Sequence, residues 1–66
     1  MKVTVNGEQA TLDDATTVAA LVAARADERR RVAVALNGAV VPRSAWSSTT
    51  LAADDSVEVL VAVAGG

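Results

Sequence analysis

The 66-residue sequence contains no cysteine, no histidine, no tyrosine and no phenylalanine. Without cysteine there is no disulfide, no thiolate metal site and no sulfur nucleophile, and the redox compartment is left undecided. Without histidine the commonest general base and metal ligand is missing, and a Ser–His–Asp arrangement is impossible. Trp46 is the only aromatic residue and Pro42 the only proline. A net charge of −2 offers no basic surface for nucleic acid. The longest apolar run, 59–64, falls far short of the ~20 residues a spanning helix needs. With no signal peptide or lipidation motif either, neither nucleic acid nor membrane is expected as a partner, and a cytoplasmic location is.

What is abundant is alanine, at 15 residues, and valine, at 12. That composition suits a thin layer of sheet and helix better than a ligand cavity. The length allows one domain, and a chain this short buries only about 60% of its unfolded surface.

Taken in order, Val3 and Val5 alternate with Lys2 and Thr4 as in a half-buried strand. Asn6-Gly7 is a hairpin turn, because both of its positions need positive φ, and 8–12 is the returning strand. Asp13 to Thr16 reads as a loop, and Thr17 as the N-cap of a helix from Val18 to about Ala26. Val18, Leu21 and Val22 fall at i, i+3 and i+4 and should face the sheet. Asp27 to Arg31 ends the helical pattern, and Arg29-Arg30-Arg31 reads as a solvated loop. Residues 32–36 alternate again, with Val32, Val34 and Leu36 inward and Ala33 and Ala35 outward. Asn37-Gly38 is a second hairpin turn, and the strand begun by Ala39-Val40-Val41 ends at Pro42 or lies on an edge. Segment 44–50 is irregular or briefly helical, with Trp46 packed beneath it, and Leu51 re-enters the core. The expected core is Val3, Val5, Val18, Leu21, Val22, Val34, Leu36, Val57, Val59 and Val61.

The chain is organised around residues 56–66, a valine-rich strand running into Gly65-Gly66. Valine occupies every odd position from Val57 to Val63, which gives the strand one buried face. The even positions Leu60 and Ala62 should share the opposite face with Thr4, Ala33 and Ala35, forming a shallow apolar patch where a partner docks. Two glycines carry no side-chain bulk and are costly to order, so the division expected is a folded domain over 1–64 and a flexible tail at Gly65 and Gly66, entered through Ala64.

The side chains supply little chemistry. Asp13-Asp14 and Asp54-Asp55 are read as turn formers rather than ligand pairs. Two Asn-Gly dipeptides do not make a phosphate loop. No catalytic residue and no metal ligand is assigned, and the chain is not expected to be an enzyme. The remaining reactive group is the Gly66 carboxylate, ionised at neutral pH and therefore a poor electrophile until a nucleotide-using partner activates it.

Asn6-Gly7, the helix opening at Thr17-Val18, the segment from Leu36-Asn37-Gly38 through Val41-Pro42-Arg43 to Trp46, the run Val57-Glu58-Val59 and the closing Ala62-Val63-Ala64-Gly65-Gly66 together resemble the ThiS family. These are small sulfur carriers of thiamine biosynthesis with an α+β, ubiquitin-like β-grasp fold, a mixed sheet packed on one main helix. The resemblance covers the whole chain and departs from the family at Asp54-Asp55, where Gly-Asp is usual. It implies that Gly66 is adenylated by an E1-like enzyme and converted to a thiocarboxylate. ATP would be used by that enzyme, with no cofactor bound to the carrier itself. A sulfur-donor protein would supply the sulfur, and thiazole synthase would receive it. Two alternatives stand beside this reading: a carrier for molybdopterin or another product, and a ubiquitin-like modifier or interaction module. A modifier would leave stable adducts on lysines, and a plain module would tolerate loss of Gly66.

Overall fold

A computed structural model describes residues 1–25 and 31–62. Two strands open the chain, β1 (Lys2–Val5) and β2 (Glu8–Thr11), joined by the Asn6-Gly7 turn with φ of 51° and 82°. Positive φ at both central residues makes this a type I′ turn, whose twist matches that of the strands it joins. Helix α1 (Val18–Arg25) follows. The Thr17 hydroxyl caps it by accepting from the Ala20 amide at 3.1 Å, as the sequence predicts. Strands β3 (Arg31–Leu36) and β4 (Ala39–Val41) form a second hairpin around Asn37-Gly38, again with positive φ at both residues. A 3₁₀ helix over Arg43–Ser48 leads to the last strand, β5 (Ser56–Ala62).

The sheet order is β2-β1-β5-β3-β4. Strand β5 therefore lies at the centre, parallel to β1 and antiparallel to β3. One helix laid across a mixed sheet with its first and last strands paired in parallel is the β-grasp arrangement. The core beneath α1 consists of Val3, Val5, Val18, Leu21, Val22, Val34, Trp46, Leu51, Val57 and Val59. Among the described residues every buried side-chain polar atom has a hydrogen-bond partner.

Four details differ from the pattern read in the sequence. Val61 has the inward parity of Val57 and Val59, yet it is 39% exposed. Strand β1 ends at Val5, which pairs with Val57, so the far half of β5 has no β1 residue beside it. Leu36, next to the second turn, is only half-buried and packs against the core from its margin. Trp46 belongs to the core itself, at 6% exposure, with its indole Nε1–H donating to the Val41 carbonyl at 3.0 Å. The Arg43 guanidinium lies 5.2 Å from the ring centroid, within cation–π range. Arg31 opens β3 rather than ending a loop, while Arg29 and Arg30 lie outside the described residues.

Candidate functional site

Strand β5 is the described element that leads in sequence toward Gly66, and what holds it is therefore the starting point for the site. Both Asn-Gly turns hold it, one from each side. The Asn6 amide group takes both backbone groups of Val59: the Val59 N–H donates to Asn6 Oδ1 at 2.8 Å, and Asn6 Nδ2 donates to the Val59 carbonyl at 3.2 Å. The Asn6 N–H also donates to the Val57 carbonyl at 2.9 Å. A side-chain amide thus extends the β1–β5 ladder past the end of β1, acting as one more peptide unit. On the other side the Ser56 N–H donates to Asn37 Oδ1 at 2.9 Å, and the Asn37 N–H donates to the Ser56 carbonyl at 2.7 Å. Asn37 Nδ2 in turn donates to Asp55 Oδ1 at 3.0 Å, and the second Asp55 oxygen accepts from the Ala52 amide at 2.8 Å. This closes the turn in which Asp54 sits at φ 70°.

The face of the sheet away from α1 divides into two halves. Cross-strand register places Leu60 opposite Ala33, Glu58 opposite Ala35 and Ala62 opposite Arg31, with Val40 opposite Ala35 on the far side. Leu60 is 61% exposed and Val40 78%, with Ala33 exposed and Ala35 half-buried. Four apolar side chains thus gather over β5, β3 and β4. Over β1 and β2 the same face turns polar, with Lys2 paired to Thr11 and Thr4 to Gln9, and Ser56 beside Thr4. The Leu60, Ala33 and Ala35 grouping read from alternation is present, but Thr4 falls in the polar half. Ala62 is in register with Arg31 at the end of the described strand. Ala64, Gly65 and Gly66 lie outside the described residues.

Val40 is the residue of this face that alternation along β3 and β5 did not single out, whereas Glu58 has the even parity of Leu60 and Ala62 along β5. The place of Val40 follows from the second turn: a two-residue Asn37-Gly38 loop pairs Leu36 with Ala39 and therefore Ala35 with Val40. Among the described residues no three acidic side chains gather into a metal site, and no helix is long and apolar enough to cross a membrane.

The ThiS family model matches residues 3–66. The crystal structure of the thiamine biosynthesis protein ThiS from Geobacter metallireducens superposes with a TM-score of 0.82 at 38% identity, each chain covered in full. Its solution structure gives 0.80 at 38% identity, covering all of this chain and 88% of that one. A curated protein named thiazole synthase, from Paramagnetospirillum magneticum, is 32% identical over 66 residues, and this chain spans only 20% of its length. The match over nearly every residue, on the same five-stranded sheet, identifies the chain as a member of the ThiS family, the sulfur carriers of thiamine biosynthesis.

Proposed function

We propose that the chain carries sulfur as a thiocarboxylate on Gly66 and donates it to thiazole formation. The observation that carries this reading is the extent of the ThiS match, which runs through Gly65-Gly66 to residue 66. An E1-like enzyme uses ATP to convert the Gly66 carboxylate to an acyl-adenylate, releasing pyrophosphate. Hydrosulfide supplied by a donor protein then attacks the acyl carbon, forming the C–S bond, losing its proton and expelling AMP. The resulting thiocarboxylate is a nucleophile, and thiazole synthase consumes it. The carrier is a co-substrate in these steps, not a catalyst, and works in the cytoplasm with the two enzymes.

The physical logic lies in the division between body and tail. Gly65 and Gly66 have no Cβ, so the tail fits a narrow channel and leaves the carbonyl open to attack. With no cysteine or histidine anywhere in the chain, no thiol or imidazole side chain competes for the activated end. Docking falls to the apolar half of the open face, Leu60, Ala33 and Ala35 with Val40, and Ala62 continues the strand toward the tail. The similarity to part of a thiazole synthase supports that enzyme as a partner.

Reconstitution tests the reading. Deleting Gly66 should leave the fold intact and abolish thiazole formation with the activating enzyme, ATP, sulfur donor and synthase. A missing residue withdraws the reactive carbon by about 3.3–3.6 Å, and a displacement of about 1 Å already costs roughly a hundredfold in such geometry. Full activity of the shortened chain would contradict it.

A further inference from the structure

Glu58 stands on the seam between the two halves of the open face. It is exposed, on the central strand of the sheet, in register with Ala35 and two residues from Leu60 on the same side. Val40 lies beyond Ala35 in the same row. Glutamate is disfavoured in strands, and small Ala35 beside it leaves the carboxylate open to approach. Among the described residues the cations of this face are distant. Arg31 is in register with Ala62, four residues from Glu58 along β5, or about 13 Å at the usual strand rise. Lys2, two residues before Thr4, is removed by a similar length in the other direction, since Thr4 pairs with Ser56. A partner cannot cover Leu60, Ala35 and Val40 without covering Glu58. A carboxylate taken out of water without a counter-charge would oppose the complex strongly.

We infer that Glu58 is the orienting charge of the docking face, received by an arginine or lysine set in an otherwise apolar surface of thiazole synthase. This rests on the docking reading above. The occupant is chosen because a segment similar to this whole chain forms part of a protein named thiazole synthase. In that single polypeptide the carrier-like segment is covalently held close to the rest of the protein. Among the described residues Glu58 is the one anion on the apolar strip, and with Arg31 at the strip's other end it gives the face a direction. A partner charge placed opposite Glu58 admits one of the two ways round and so aims the tail into the synthase rather than away from it. Rim and interface charges act in this way on specificity and on association rate.

The test is binding of the purified full-length carrier to the thiazole synthase of the same organism, measured at several salt concentrations. Glu58→Gln should weaken binding at least tenfold at low salt and flatten the salt dependence. Glu58→Arg should weaken it at least a hundredfold, and Glu58→Asp should keep the salt dependence. Leu60→Asp, at an exposed position, reports on the docking face independently. Unfolding midpoints of all four variants should match the parent, because neither side chain is part of the core. If Glu58→Gln binds like the parent while Leu60→Asp does not, the role of Glu58 is overturned and the docking face stands. If neither substitution matters, or the parent itself does not bind, both fall.

Discussion

Asn6 and Val59, 53 residues apart, share a two-point hydrogen bond between a side-chain amide and a backbone peptide. The same asparagine supplies positive φ to the turn after β1, so one residue both reverses the chain and secures the central strand. Asn37 does the equivalent on the other flank through Ser56. Strand β5 is thereby fixed at its start and its middle, while its last residues run on without β1 beside them.

Asn6→Gly separates the two roles of Asn6, because glycine accepts the turn geometry without strain but lacks the amide. We expect a loss of about 1–2 kcal/mol in urea unfolding, the worth of two partly buried hydrogen bonds. A change within error would mean that the bond to Val59 contributes nothing net.

Asp54 and Asp55 look alike in sequence and should respond oppositely. Asp54 holds φ 70°, a conformation glycine adopts freely, so Asp54→Gly should stabilise by about 0.5–1 kcal/mol. Asp55 accepts from Asn37 and Ala52, so Asp55→Ala should destabilise by about 1–2 kcal/mol. Thermal unfolding of the two variants checks both signs.

Leu21 is 2% exposed between the helix and the sheet. Leu21→Ala should cost on the order of 2–5 kcal/mol, enough to unfold much of the population of so small a domain. Ala23→Ser, two residues further on and on the exposed side of α1, should change stability by less than about 0.5 kcal/mol. Circular dichroism through a thermal ramp distinguishes them.

The strands, both turns and the cap at Thr17 were legible because each depends on local chemistry: alternation, Asn-Gly, and a threonine before an apolar helical stripe. The central position of β5 depends on long-range pairing with β1 and β3 rather than on local chemistry. Alternation gives the face a side chain takes but not how far a neighbouring strand extends, and so Val61 was misread as core. Trp46 is bracketed by Ala45 and Ser47, with no periodic signal to mark it as part of the main core. The Asn6 and Asn37 amides were visible as turn formers only. What they reach depends on where residues far along the chain are laid down.

The central claim is that the chemistry resides on Gly66 and nowhere else in the chain. The most direct measurement is intact mass, with peptide mapping, after incubation with the activating enzyme, ATP and a sulfur donor. The mass should rise by the difference between one sulfur and one oxygen atom, the whole increase should lie in the C-terminal peptide, and the chain lacking Gly66 should show none. An increase located in any other peptide, or sulfur incorporation that persists without Gly66, would contradict the account.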